Sequence, residues 1–151
     1  MEDQKSTSRC CFSLGSTMVS WFSRKQSTVA LSTIEAEYIV ACMAAREAVW
    51  LRKLLAGLSG QSLQPTVIHC DNQSCVKMSV NPVQHDIMKH VEMKYHYFQE
   101  MVQRHAVELW YVPTDEQIAD VLTKLLGRGK FVYFWDKLGV MENVSLVERE
   151  C

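Results

Sequence analysis

Three acidic residues stand at places where a folded chain could use them for chemistry. Glu37 is near the start of a long apolar-periodic segment, Asp71 directly follows a β-branched run, and Asp120 lies in a later segment with helical spacing. Carboxylates gathered near the carboxyl ends of strands are suited to holding divalent metal ions. Two such ions can activate a water and stabilise the leaving oxygen of a phosphodiester. The three residues therefore predict metal-assisted hydrolysis of a phosphodiester.

Each of these carboxylates also has an ordinary structural explanation. Glu37 could occupy the exposed start of its helix, where the helix dipole favours a negative charge. Asp71 could cap the helix that follows it, and Asp120 could pair with Lys124 one turn later. The residues taken alone leave both explanations open for all three positions.

The element that must position Glu37 is a helix predicted from about Thr33 to Leu58. Ser32 or Thr33 can cap its start, and Gly57 and Gly60 are expected to end it. At 100° per residue, Glu37 heads a row of apolar side chains: Ala41, Ala44, Ala48, Leu51 and Leu55.

Glu35 falls on a different stripe of the same helix, together with Arg46 and Lys53. This charged stripe is expected to face solvent. The two neighbouring glutamates are therefore predicted to have different surroundings.

The remaining elements alternate between strands and helices. The predicted strands are Cys10–Leu14, Met18–Phe22, Thr66–Cys70 and Val107–Val112, the first two forming a hairpin. The further predicted helices are Asn72–Val80, Val91–Arg104, Asp115–Leu125 with a capping box from Thr114 to Gln117, and Phe131–Leu138. This order predicts an α/β domain with a mixed sheet flanked by helices.

Composition narrows the class of protein. The chain has 151 residues, 48% of them hydrophobic and 22% charged, which is enough for one domain with a core. Its net charge of −1 does not indicate a nucleic-acid binder, although a site built on metal ions needs no basic chain. The six cysteines have no zinc-type spacing and are expected to be reduced. Without a signal peptide or a membrane-spanning run, we expect an intracellular protein, cytoplasmic or nuclear and not secreted, with no membrane partner.

Five ordered sequence blocks resemble one known family. They are KSTS at 5–8, VSWFSRKQSTVALSTIEAEYIVA at 19–41, VIHCDNQSCV at 67–76, NPVQHDIMKHVEMKYHY at 81–97 and YVPTDEQIADVLTK at 111–124. In order and spacing, these blocks resemble the ribonuclease H domain that ends copia-type retrotransposon Pol polyproteins. The resemblance covers about residues 3–126, so we divide the chain into a ribonuclease H-like domain at 1–127 and a C-terminal tail with a short aromatic-rich helix at 128–151.

The resemblance implies cleavage of the RNA strand of an RNA–DNA hybrid. It also implies a mixed sheet flanked by helices and two Mg²⁺ or Mn²⁺ ions held by four carboxylates. By position in the blocks, Glu37 rather than Glu35, Asp71 and Asp120 would be the catalytic, metal-holding residues here. The implied partners are the hybrid and the reverse transcriptase portion of the same polyprotein.

Two departures from the family pattern concern the same site. Related domains begin with a strand that carries a further catalytic aspartate, about ten residues before the segment matching Asp3–Ser8, and this strand is expected to be missing here. Arg9 stands where the family usually has glycine. We therefore expect an impaired ribonuclease H-like domain; the alternative is a non-catalytic, domesticated domain that binds nucleic acid or a protein.

Several polar residues are candidates for contacting substrate. Arg24, Lys25 and Gln26 precede the long helix and could meet phosphates, or could form a solvated turn. The resemblance adds Asn72 and places His85 or His90 in a loop near the metals, whereas the histidine spacing does not favour zinc. The large aromatics are expected in the core rather than as base-stacking platforms: Trp21, Trp50, Trp110 and Tyr111.

Overall fold

The computed structural model describes residues 5–61, 63–81 and 92–139, with backbone only at 92–94. Its strands are β1 (Thr7–Leu14), β2 (Thr17–Lys25), β3 (Thr66–Cys70) and β4 (Val107–Tyr111). Its α-helices are α1 (Thr33–Ser59), α2 (Gln73–Val80), α3 (Glu92–Gln103) and α4 (Arg128–Lys137). The predicted mixed α/β class is confirmed. No helix within these ranges is long and apolar enough to cross a membrane.

β1 and β2 form the predicted hairpin. They pair antiparallel from Thr7 opposite Lys25 to Leu14 opposite Thr17, so both strands are longer than the sequence pattern indicated. The chain reverses at Gly15, whose φ of 62° is a conformation that glycine adopts without steric cost. The hairpin places the start of β1 at the end of the sheet that is far from this turn.

α1 matches its predicted bounds to within one residue. The Ser32 side chain accepts a hydrogen bond from the Glu35 backbone N–H at 3.1 Å, which satisfies one of the unpaired donors of the first turn. Gly60, with φ 67°, ends the helix and donates its N–H to the Ala56 carbonyl. Gly57 lies inside the helix and does not end it, because Gly60 supplies the left-handed residue.

The core forms where α1 packs on the second pair of strands. β3 and β4 run parallel, from Thr66 opposite Val107 to Cys70 opposite Tyr111. The predicted apolar row of α1 is buried at Ala41, Ala44 and Ala48. Tyr38 and Phe98 are fully buried beside it, with ring centroids 5.2 Å apart in an edge-to-face contact. This packing fixes the start of α1 relative to the ends of β3 and β4.

The four described strands form two separate two-stranded sheets instead of one continuous sheet. β1 pairs with β2 and β3 pairs with β4, and a cavity of about 450 Å³ lies between the two sheets. Consecutive residues line it from β1, Arg9 to Ser13, and from β3 with the residue that follows it, Thr66 to Asp71. Because side chains alternate between the faces of a strand, consecutive lining residues mean that the cavity reaches the strand edges.

The segment predicted as a helix from Asp115 to Leu125 is different in the structure. It forms two short 3₁₀ turns, Thr114–Glu116 and Ile118–Leu122, and the predicted capping box does not form. Gln117 adopts an extended conformation between the turns and donates its side-chain amide to the His69 carbonyl at 3.2 Å. This bond ties the segment to the end of β3, which explains why a regular helix does not continue through it.

α4 begins three residues earlier than the aromatic pattern predicted. It packs through Phe134, which is 1% exposed, against the second 3₁₀ turn. The division of the chain at 127/128 stays a prediction.

The expectation that the large aromatics are core residues was wrong. Trp21, Trp50, Trp110 and Tyr111 are 46–60% exposed. By contrast, Cys42, Cys70 and Cys75 are buried, and none of the five described cysteines forms a disulfide, as predicted.

Candidate functional site

The three predicted carboxylates lie near one another beside the cavity between β1 and β3. Glu37 and Asp71 both line this cavity, Glu37 from α1 and Asp71 from the residue after β3. Asp120 reaches the same region from the second 3₁₀ turn. Burial raises the pKa of Glu37 above its usual value, and the negative charges of Asp71 and Asp120 raise it further. Three separate elements therefore bring acidic side chains within electrostatic reach of each other.

The structure separates the roles of the two neighbouring glutamates. Glu35 is 3% exposed, and its carboxylate accepts a hydrogen bond from the Leu31 backbone N–H at 2.7 Å. The prediction that Glu35 lies on a solvated stripe was therefore wrong, because this carboxylate folds back to cap the start of α1. Glu37 is half-buried and lines the cavity.

The ordinary explanation for Asp71 does not hold. The cap of α2 is Asn72, whose side-chain oxygen accepts the Cys75 backbone N–H at 3.0 Å. Asp71 is left half-buried at the cavity, next to the end of β3. Its position follows the general rule that functional groups in α/β proteins gather at the carboxyl ends of strands.

Asp120 is held between two cations. Its side chain is 5% exposed; the Arg9 guanidinium contacts Oδ1 through Nη2 at 2.6 Å and through Nε at 2.9 Å. Lys124 Nζ contacts the other oxygen, Oδ2, at 2.6 Å, so the predicted Asp120–Lys124 pair is confirmed. The sequence marked Arg9 as unusual, but only its place on β1 shows that it pairs with Asp120.

These side chains do not fit a divalent metal ion in their present arrangement. Within residues 5–61, 63–81 and 92–139, no three His, Cys, Asp or Glu side chains come close enough together to hold one. Both oxygens of Asp120 already accept strong hydrogen bonds from Arg9 and Lys124. The donor atoms are of the type that Mg²⁺ prefers, but one of the three carboxylates is already neutralised.

The substrate-contact candidates have varied surroundings. Arg24 is exposed, with its guanidinium 5.2 Å from the centre of the Phe22 ring, and Lys25 is exposed beside it. Gln26 is 3% exposed and donates its amide to Ser8 Oγ at 3.1 Å and to the Ala36 carbonyl at 2.9 Å, so it ties the hairpin to α1.

Asn72 has the capping role given above. His85 and His90 lie outside the described residues, so their predicted part in substrate contact stays a prediction.

Comparison with known proteins gives several relatives, among them polyproteins of plant transposons. The chain is 36% identical over 143 residues to the Retrovirus-related Pol polyprotein from transposon TNT 1-94 of Nicotiana tabacum, covering 95% of the chain and 11% of that protein. It is 39% identical over 141 residues to the corresponding polyprotein from transposon RE2 of Arabidopsis thaliana, covering 93% of the chain and 10% of that protein. It is also 39% identical over 139 residues to the polyprotein from transposon RE1 of the same species, covering 92% of the chain and 10% of that protein. No family model and no solved structure matches.

The alignments cover nearly the whole chain, whereas the chain spans only about a tenth of the length of these relatives. The chain is thus homologous over nearly its whole length to retrovirus-related Pol polyproteins of plant transposons.

Proposed function

We propose that this chain is a retrotransposon-derived ribonuclease H-like domain of the copia type, with impaired cleavage activity. The family activity is hydrolysis of the RNA strand of an RNA–DNA hybrid. The observation that carries the proposal is the convergence of Glu37, Asp71 and Asp120 from three separate elements beside the cavity between β1 and β3. These are the residues that the sequence blocks single out, and they share one region of the fold.

The roles of these residues follow from the chemistry of carboxylates. In an intact family site, such carboxylates would hold two Mg²⁺ or Mn²⁺ ions, which would supply Lewis-acid assistance to phosphodiester hydrolysis. Glu37 and Asp71 have the donor type for such a site, and Asp120 would support it from one side.

We propose that cleavage is impaired because too few carboxylates are available to hold metal ions. The described residues contribute three carboxylates, and Asp120 gives both oxygens to Arg9 and Lys124. A site that loses ligands for its metal ions loses orders of magnitude in rate, because the ions carry the transition-state stabilisation. The expected result is a domain that retains the architecture of the family but shows no cleavage above background.

Recognition of the hybrid is a further part of the proposal. The exposed pair Arg24 and Lys25 on β2 would contact backbone phosphates, since positive side chains supply most of the affinity for nucleic acid. Asn72, His85 and His90 would approach the strand near the carboxylates. The reverse transcriptase portion of the same polyprotein is the natural partner, because the relatives are Pol polyproteins.

The test is cleavage of a labelled RNA–DNA hybrid by the whole chain in Mg²⁺, compared with duplex DNA and duplex RNA. We expect hybrid binding without cleavage above that of the Asp71→Asn variant. Hybrid cleavage that Asp71→Asn abolishes would show an active nuclease and contradict the impairment. Failure to bind the hybrid at physiological salt would contradict the proposed substrate. Equal binding to all three nucleic acids would favour a domesticated, non-catalytic binding domain.

A further inference from the structure

The charge balance around Asp120 departs from what a metal-binding carboxylate needs. Asp120 is almost fully buried, yet a cationic nitrogen lies 2.6 Å from each of its two oxygens. Charge-assisted hydrogen bonds of this length are among the strongest that proteins make. The carboxylate therefore has its charge compensated by the protein itself.

Of the two cations, Arg9 is held more firmly. Its guanidinium makes two contacts to Asp120, through Nη2 and Nε, and its side chain is 22% exposed. Lys124 makes one side-chain contact and is 43% exposed, so its flexible ammonium can move into water at lower cost. The Arg9 backbone is fixed by the pairing of β1 with β2, opposite Ser23. A guanidinium also stays protonated at any pH at which proteins are folded.

Arg9 also lies near the other acidic groups of the site. It lines the cavity between β1 and β3 together with Glu37 and Asp71, and it lines a second opening together with Glu37 and Lys124. Its positive charge lowers the pKa of Glu37, against the raising effects of burial and Asp71. A divalent ion shared by these carboxylates would have to approach a fixed positive charge in a partly buried place.

From this geometry we propose that Arg9 is the residue that keeps divalent metal ions off this carboxylate site, as a permanent internal cation at Asp120. The inference rests on the proposed function, because it takes these carboxylates as the site. Arg9 is a positioning residue that acts through Asp120. Its removal leaves Asp120 with Lys124 alone, and that ammonium can withdraw to solvent when a metal ion arrives.

The experiment measures Mn²⁺ binding to the whole chain, without nucleic acid, by the electron paramagnetic resonance signal of free Mn²⁺. Arg9→Ala is expected to lower the Kd at least tenfold relative to wild type. Arg9→Gln, which removes the charge but keeps a polar side chain with N–H donors, is expected to act in the same direction. Lys124→Ala should tighten binding less than Arg9→Ala does.

Two controls make the result specific. Arg104→Ala removes an exposed arginine paired with Glu100, and it should leave the Kd unchanged if net charge is not the cause. Arg9→Ala combined with Asp120→Asn should return the Kd to that of wild type. Circular dichroism confirms that each variant is folded before its binding is compared.

Equal affinity in wild type, Arg9→Ala and Arg9→Gln would overturn the inference, and so would the absence of Mn²⁺ binding in all three. A larger effect of Lys124→Ala would assign the role to Lys124 instead. The proposed function fails separately, because it depends on nucleic acid. Tighter Mn²⁺ binding in Arg9→Ala without any hybrid binding would leave the inference standing and remove the function.

Discussion

The two neighbouring glutamates of α1 offer a matched pair of substitutions. Glu35 and Glu37 are two residues apart, and replacement of either by glutamine removes one charge with little change in shape. In the structure the Glu35 carboxylate accepts a hydrogen bond from the Leu31 backbone N–H. Glu37 faces the cavity among other negative charges. Their effects on the free energy of unfolding should therefore differ in a defined direction.

The magnitude for Glu35→Gln follows from what is lost at the start of the helix. A charge-assisted bond to the backbone becomes a neutral one, which costs about 1 kcal/mol. The new amide group is also buried and needs acceptors of its own, which raises the total to about 1–2 kcal/mol. For a domain of this size the melting temperature should fall by about 2–8 °C.

Glu37→Gln should leave the free energy of unfolding within about 0.5 kcal/mol of wild type, or raise it, because the change removes repulsion with Asp71. The assay is urea unfolding followed by far-UV circular dichroism, with the exposed Glu116→Gln as a control for loss of charge. A larger loss of unfolding free energy for Glu37→Gln than for Glu35→Gln would refute the assignment of Glu35 to the helix cap and of Glu37 to the candidate site.

Two further predictions concern the hairpin and α4. Burial raises the pKa of the Cys10 thiol from 9.0 to about 12, so the stability that its neutral form contributes is complete below about pH 9 and is lost as the pH rises toward 12. Alkylation of Cys10 at pH 8, measured by mass spectrometry, should be much slower in the native protein than in urea, and equal rates would contradict the burial. Phe134→Ala should lower the free energy of unfolding by about 3 kcal/mol, since this ring is fully buried. Val132→Ala, at an exposed position of the same helix, should cost less than about 0.5 kcal/mol in the same urea titration, and similar losses for both would show that α4 does not pack as described.

Much of the fold could be predicted from the sequence because its signals are local. The spacing of apolar residues and the cap at Ser32 fix α1, and the β-branched run at Thr66–Cys70 fixes β3. The 3₁₀ turns could not be predicted in this way. Thr114 and Gln117 have the spacing of a capping box, but Gln117 binds the His69 carbonyl, a partner distant in sequence.

The candidate site shows the same division between local and distant signals. Helix periodicity predicted different surroundings for Glu37 and Glu35, since the angle between them depends only on their spacing, and their surroundings do differ. It gave the wrong surroundings for Glu35, whose carboxylate turns back to the Leu31 backbone. The pairing of Arg9 with Asp120 joins residues 111 positions apart, and no local pattern could predict it.

The most direct test of the whole account is the rate of RNA-strand cleavage in an RNA–DNA hybrid, measured with protein in excess over the hybrid and with Mg²⁺ present. The account predicts the same background rate for the wild-type chain and for Asp71→Asn. A wild-type rate clearly above that of Asp71→Asn would contradict it, because the carboxylates would then form a working site despite the cations at Asp120.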